Sequence, residues 1–319
     1  MFATNFYFIF FFINILHIPL LETFNKSDYS NYVPRIVNGK PGKLGDVPYQ
    51  IAFKALIKRS RIYVTFCGGV IIAPAKLLSA AHCFTDDPNF CQRLCSDNKG
   101  LRSLSHMYAV AGNLRNRGYH SQFDSTENGQ WRKLKNVVYP KNYKFPRDDI
   151  AIVFTRKPFV YNSYVNYIPY ASKHVDYRGQ CLASGFGRIS NTMSSDKLLL
   201  AYLELIPTAR CNRMHRRNMR KFVCTSSIVT DVGKGDSGGP LVCKNTSDPK
   251  EDEKGLLVGI VSGNRPRIGS FFTRVSSFYK YIEKNYCPYR NLDVNIFYVI
   301  LIIQIKFLLF SFGFIYSYK

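Results

Sequence analysis

Acid is what this chain has least of. Among its 319 residues only 21 are Asp or Glu, against 44 Lys or Arg, for a formal net charge of +23. The imbalance is not confined to the ends, since 40 basic and 18 acidic residues lie between Ile36 and Arg290. A chain so short of carboxylates favours polyanionic partners at long range, whether heparan-like sugars, anionic membrane or nucleic acid. Other absences narrow the choice. There is no dinucleotide or phosphate loop, no internal repeat and no Cys-x-x-Cys pair, so nothing calls for a nucleotide, a cofactor or a metal. The one concentrated basic run, Arg210, Arg213, Arg216, Arg217, Arg220 and Lys221, has Met rather than stacking aromatics between its charges. That removes specific nucleic-acid binding and leaves a solvated basic face, with a polyanion site as the alternative. Disorder is excluded by 46% hydrophobic and 15% aromatic residues, and collagen by 21 Gly and 15 Pro without a period.

The ends differ from the middle. Phe6 to Ile18 is an almost unbroken apolar run of 13 residues, short for a membrane span and suited to the core of a signal peptide over residues 1–21. Secretion would follow, and nine cysteines then read as disulfides made in an oxidising compartment, with one left over. Asn25-Lys26-Ser27 and Asn245-Thr246-Ser247 have the glycosylation spacing. At the other end, Ile296 to Tyr316 has 15 Ile, Leu, Val or Phe residues in 21, interrupted by Gln304 and Lys306. On an insertion scale these give roughly −5 to −9 kcal/mol against about +3 for a central Lys. The tail 288–319 therefore reads as a membrane anchor, with a removed lipid-anchor signal or a processed extension as the alternatives.

Between the ends, short β-type runs alternate with turns: Gln50 to Ile57, Gly69 to Leu78, Leu134 to Tyr139, Ile150 to Phe154, Leu198 to Ile206 and Leu256 to Ser262. Many short strands with Gly-rich turns predict an all-β barrel or sandwich. One closing helix is expected where Val275, Phe278, Tyr279 and Ile282 fall at i, i+3, i+4 and i+7.

The chemistry sits in three places. Ser79-Ala80-Ala81-His82-Cys83 follows an apolar strand that contains Cys67-Gly68-Gly69, and a histidine beside a disulfide cysteine is held rigidly. Asp148-Asp149-Ile150-Ala151-Ile152 puts a carboxylate at the head of a buried-looking strand, and Gly235-Asp236-Ser237-Gly238-Gly239-Pro240 presents a serine among glycines. Together they suit an acyl-transfer triad. Ser237 is the candidate nucleophile, weak until His82 takes its proton, and Asp149 would fix the imidazole tautomer and stabilise the imidazolium. The glycines permit close backbone approach, so the amides of Gly235 and Ser237 can form an oxyanion hole worth about 3 to 4 kcal/mol per donor. His106, His120, His174 and His215 lie in no motif and read as ordinary surface or satisfied residues. Asp148 reads as a solvated neighbour of Asp149.

With these boxes in place, the chain resembles the trypsin and chymotrypsin family of serine endopeptidases over Ile36 to about Cys287. The resemblance includes Arg35-Ile36-Val37-Asn38-Gly39, the His82, Asp149 and Ser237 boxes in that order, and Ser184-Gly185-Phe186-Gly187. It implies an all-β fold of two antiparallel Greek-key β-barrels with a C-terminal helix, the active site lying between the barrels. It implies the bridges Cys67 to Cys83, Cys181 to Cys243 and Cys211 to Cys224. A fourth family bridge, from the position of Gly233 to the segment from Gly263 to Ser270, has lost both cysteines; Cys91, Cys95 and Cys287 are left unassigned. It implies a zymogen: an activating protease would cut after Arg35, residues 22–35 would leave as a propeptide, and the new ammonium of Ile36 would pair with Asp236. It implies protein or peptide substrates, cut after Arg or Lys because Asp231 stands six residues before Ser237 at the base of the specificity pocket. Ser262, Gly263 and Ser270 would line that pocket, and Gly263-Asn264 and Ser270 depart from the family's pattern, which puts the trypsin-like preference in question. The contrasting expectation is a family member that binds a polyanion without cleaving.

Overall fold

Each strand exists because its two faces meet different demands. The computed structural model describes residues 39–85, 104–188, 193–226, 232–265 and 268–285. Eight strands belong to the first half: β1 (Lys40–Pro41), β2 (Gln50–Ile57), β3 (Ile62–Ala73), β4 (Lys76–Ser79), β5 (Met107–Ala111), β6 (Arg117–Gly118), β7 (Gln130–Val138) and β8 (Ala151–Thr155). Six follow: β9 (Gln180–Gly185), β10 (Leu199–Ile206), β11 (Phe222–Thr225), β12 (Pro240–Cys243), β13 (Leu256–Arg265) and β14 (Gly269–Arg274). In β10 the buried Ala201, Leu203 and Leu205 alternate with Tyr202 and Glu204 on the solvent side, the period of a half-buried strand. The five residues of β8 are all buried, as a strand wrapped on both sides requires.

Pairing closes the strands into two antiparallel rings. In one, β2, β5, β7, β8, β4 and β3 follow one another around the barrel and β3 returns to β2. In the other, β9, β10, β11, β14, β13 and β12 do the same, with β12 back against β9. The short strands β6 and β1 are appended to β3 and β10. Closure leaves neither ring with a free edge. Both rings use one chain path: three consecutive strands form a meander, and the next strand returns beside the first, which is the Greek key. The all-β fold with two such barrels agrees with the expectation.

One local reading is corrected. Gly69 to Leu78 is not one strand: β3 ends at Ala73, and Pro74-Ala75 turns the chain into β4, because proline has no N–H for the ladder. The basic run is the solvated face expected of it, with Arg210, Arg213, Arg216, Arg217, Arg220 and Lys221 all exposed; Thr208–His215 within it forms helix α1, which buries Cys211 and His215 at i and i+4. The closing helix begins as a 3₁₀ turn, Val275–Phe278, and continues as α2, Tyr279–Lys284. Its Ile282 is fully buried, and the ammonium of Lys76 donates to the Ile282 carbonyl at 2.6 Å. Among the described residues no helix is long and apolar enough to cross a membrane. The segment Ile296 to Tyr316 lies outside them.

Lys54 is a cation inside the first barrel. Its side chain is fully buried in β2, donates to the Arg115 carbonyl at 2.6 Å and stands 5.5 Å from the Trp131 ring centre. Burial disfavours its charge and pushes the ammonium down to about 7. Folded Lys54 thus releases its proton near neutrality, whereas the unfolded chain holds it to about pH 10.4. Between those limits the unfolded state binds more protons, so stability should rise with pH. Lys54→Met is expected to remove that rise. Urea unfolding at pH 6, 8 and 10 should show the variant gaining on wild type most at pH 6, with the difference changing by roughly 3 to 5 kcal/mol over the series.

Candidate active site

The pairing of β4 with β8 is what brings the first two site residues together. Ser79 at the end of β4 is opposite Ala151 at the start of β8, so the residues just after the one and just before the other share an end of the barrel. His82 follows β4 on the single 3₁₀ turn Ala81–Cys83, and the Cys67–Cys83 disulfide pins that turn to β3. Asp149 precedes β8. Its Oδ2 accepts from His82 Nδ1 at 2.8 Å and its Oδ1 from the His82 amide at 3.0 Å. Because a carboxylate can only accept, Nδ1 carries the hydrogen, and the lone pair of the imidazole is on Nε2.

The second barrel completes the shell around Asp149. Ser262 of β13 donates its hydroxyl to Oδ2 at 2.6 Å, and Thr273 of β14 donates to the Asp149 carbonyl at 2.7 Å. Asp149 is fully buried and His82 nearly so. A buried carboxylate is tolerated only with such partners. Asp148, expected in solvent, is instead paired with Lys221 at 2.7 Å and held at φ 57°; the bend turns the two adjacent carboxylates to different partners.

Ser237 is half-buried, and its backbone is fastened to the first barrel. Its carbonyl accepts from the Gly68 amide at 2.7 Å, one residue from the Cys67 that bridges to the neighbour of His82. Gly238 has φ 80°, and a Cβ there would lie 2.2 Å from Ser79 Oγ and 2.5 Å from the Gly68 carbonyl. Only glycine lets the serine loop reach this strand. The Ser237 side chain makes no hydrogen bond among the described residues, and nucleophile and base are often loosely placed when no substrate is bound. In the same loop the amides of Asp236, Gly238 and Gly239 donate to carbonyls of Gly233, Val261 and Asp236. Those of Gly235 and Ser237 have no acceptor among the described residues. Gly235 is held at φ 107°.

Asp236 between them is fully buried and accepts from the amides of Gly187 at 2.7 Å and Gly233 at 2.8 Å. This explains the Ser184-Gly185-Phe186-Gly187 box. A Cβ on Gly185 or on Gly187 would come within 2.1 Å of an Asp236 oxygen, so both glycines make room for the carboxylate. Ser262, Gly263 and Ser270 lie on the paired strands β13 and β14, where Asn264 Nδ2 donates to Ser270 Oγ at 3.1 Å. Arg35, Ile36, Asp231, Cys91, Cys95 and Cys287 lie outside the described residues. All three expected bridges are present: Cys67–Cys83, Cys181–Cys243 and Cys211–Cys224. Two groups resemble metal sites, Cys67, His82 and Cys83, and Cys211, His215 and Cys224, but their sulfurs are joined in disulfides and offer no thiolate. Thr273 carries no sequence signal that marks it, and Phe145, whose ring meets His82 edge-on at 5.4 Å, lies in an unremarked loop.

Gly187→Ala should force the Asp236 carboxylate aside and destabilise the chain by roughly 1 to 3 kcal/mol. Gly118→Ala is the comparison, since the nearest atom to its new methyl would be 4.0 Å away. Urea unfolding of the two should separate them, and equal midpoints would contradict the packing account.

Comparison with known proteins gives the same direction. The trypsin family profile matches residues 36–282. Transmembrane protease serine 7 of Mus musculus is 29% identical over 273 residues, covering 81% of this chain and 29% of that protein. Spermosin of Halocynthia roretzi is 30% identical over 236 residues, 72% of this chain and 55% of that protein. The venom peptide isomerase heavy chain of Agelenopsis aperta is 27% identical over 272 residues, 78% of this chain and 99% of that one. The chain thus spans less than a third of the first of these, just over half of the second and nearly all of the third. A profile match that runs through both barrels and all three motif boxes settles the family: this chain belongs to the trypsin family of serine proteases.

Proposed function

We propose that the chain is a serine endopeptidase that works through an acyl-enzyme. The observation that carries the reading is the buried His82–Asp149 pair, with its tautomer set by the 2.8 Å contact and its carboxylate further held by Ser262. In the proposed cycle Ser237 Oγ attacks the scissile carbonyl carbon while His82 Nε2 takes its proton. The carbonyl oxygen becomes an oxyanion, received by the uncommitted amides of Gly235 and Ser237. The C–N bond then breaks, His82 returns the proton to the leaving amine, and the acyl group stays on Ser237. Water repeats the sequence with His82 as base and frees the acid. Asp149 offsets the positive charge that His82 acquires at each step.

Activation by cleavage after Arg35 fits the surroundings of Asp236. The new ammonium of Ile36 would add a charged donor to a buried carboxylate that already accepts from Gly187 and Gly233, and so order the loop that carries Gly235 and Ser237. Cleavage after Arg or Lys rests on Asp231, whose buried anion would select a basic side chain. The hydrogen bond from Asn264 to Ser270, one of the expected pocket-lining residues, joins two of the positions that depart from the family's pattern, so the preference for Arg or Lys rests on Asp231 alone. The disulfides favour an oxidising compartment, in keeping with secretion and with tethering at the cell surface through residues 296–316.

After cleavage at Arg35, a serine-directed phosphonate should label the protein, and Ser237→Ala should abolish the label. Asp149→Asn, which sets the wrong tautomer, should lower kcat by roughly 10⁴-fold. An unlabelled natural protein whose amino terminus is Ile36 would make it a non-cleaving homologue. Substrate choice has its own test, a positional peptide library run on wild type and Asp231→Ser. A preference for Arg and Lys should vanish in the variant; an unchanged, apolar profile would refute the trypsin-like pocket and leave the catalytic reading standing.

A further inference from the structure

The Asn245-Thr246-Ser247 tripeptide has the spacing of an N-glycosylation acceptor, and the catalytic reading makes no use of it. The same spacing recurs only at Asn25-Lys26-Ser27, in the segment that would leave on cleavage after Arg35. Such a spacing acquires meaning from where the fold puts the asparagine, because the sugar is bulky and must stand at the surface. β12 carries the chain through the second barrel with all four of its residues buried. Ser237 lies three residues before that strand and Asn245 two residues after it, so the candidate nucleophile and the acceptor emerge at opposite ends. A sugar on Asn245 would start from the end of the strand remote from the reactive serine.

Within the tripeptide, backbone and side chains are treated differently. Glu251 holds the backbone: its carboxylate accepts from the Asn245 amide at 2.6 Å, the Thr246 amide at 2.7 Å and the Thr246 hydroxyl at 2.6 Å. The same hydroxyl oxygen accepts from the Asp248 amide at 3.3 Å. Thr246 is buried by these contacts, whereas Asn245 and Ser247 are exposed. Both exposed residues are in the left-handed region, at φ 57° and 59°, where asparagine fits better than most side chains. In such turns an asparagine ordinarily spends its carboxamide on nearby backbone. Here Glu251 takes that part, and the Asn245 side chain has no hydrogen-bond partner among the described residues. Nor has the Ser247 hydroxyl. The two side chains that define the acceptor, the carboxamide and the hydroxyl two residues on, are thus exposed and uncommitted. The middle one, whose identity the acceptor leaves open, is the one the fold uses. Because the turn is held without the carboxamide, a substituent on its nitrogen breaks no contact.

We infer that Asn245 carries an N-linked glycan, placed where it leaves the catalytic cleft open. In the transfer the carboxamide nitrogen forms a bond to the anomeric carbon of an oligosaccharide carried on a polyprenyl diphosphate. The bond from that carbon to the diphosphate oxygen breaks, the lipid diphosphate leaves with the electron pair, and the nitrogen gives up one proton. No oxidant or reductant takes part. The inference rests on the secretion part of the proposed function and extends it to a modified site that stays with the chain after residues 22–35 are lost. The full chain, expressed in a secreting eukaryotic cell line, would be treated with peptide N-glycosidase in ¹⁸O water. Asn245 should become ¹⁸O-labelled Asp in the peptide mass spectrum, a reading that needs no substitution. On a gel, the Asn25→Gln chain should still drop in mobility class by one glycan on digestion. Adding Asn245→Asp, which suits the left-handed backbone, or Ser247→Ala, which keeps the asparagine, should abolish that change. Phosphonate labelling of the Ile36 form should differ by less than twofold before and after digestion. A secreted chain with unlabelled Asn245, or a shift that survives Ser247→Ala, overturns the site alone. A labelled Asn245 whose sugar suppresses phosphonate labelling more than tenfold overturns its placement away from the cleft. A chain that stays in the cytosol overturns secretion, and the site with it.

Discussion

Everything in the site depends on keeping one carboxylate out of water. Asp149 is sealed between the barrels, and its carboxylate is tolerable there because donors reach it from the His82 turn and from Ser262, while Thr273 satisfies its backbone carbonyl. Loss of the His82 amide or of the Thr273 hydroxyl would leave a buried oxygen without its donor in a low-dielectric place, where the cost is far larger than the net gain of making the bond, whereas loss of Ser262 would leave Oδ2 to His82 alone. The same seal gives the histidine its direction. In water the imidazole would rotate and exchange tautomers freely, whereas here one nitrogen is committed and the other keeps its lone pair.

A second buried carboxylate, Asp236, is handled by different means. Its oxygens are met by backbone amides, and two glycines clear the volume around it. The side chains of His82 and Ser262 make Asp149 part of a network that reaches across both barrels, while backbone amides tie Asp236 to its own loop at Gly233 and to the segment after β9 at Gly187. The first arrangement is rigid by construction. The second depends on the loop keeping its shape, which is where a new amino terminus could act.

How far the residues announced this can be stated for particular cases. His82, Asp149 and Ser237 were legible because each sits in a context that packing alone does not explain: a histidine in an apolar run, a carboxylate heading a buried strand, a serine between glycines. Gln50–Ile57 was legible as a strand by its apolar, turn-bounded run. β12 was not, because it is four residues long and begins with a proline next to glycine, a pattern that reads as a turn. Helix α1 was hidden by its own charge, since only Cys211 and His215 mark its inner face and the arginines dominate the composition. Thr273 could not be found locally, for its partner is a carbonyl 124 residues away. Contacts of that span belong to topology, and a reading of neighbours in sequence does not reach them.

The way the two barrels interlock has a consequence for the history and engineering of such a chain. The first barrel supplies His82 and Asp149 but borrows two of the donors that hold the aspartate; the second supplies Ser237 but fastens it to Gly68 of the first. Neither ring owns a complete set. A chain divided between β8 and β9 would split more than the site, since β1 pairs with β10 and one core holds Ile51 and Leu77 together with Leu257, Ile260 and Ile282. Reunion would restore the shared contacts all at once, so the pair would behave as a complementation switch whose output reports association of the halves.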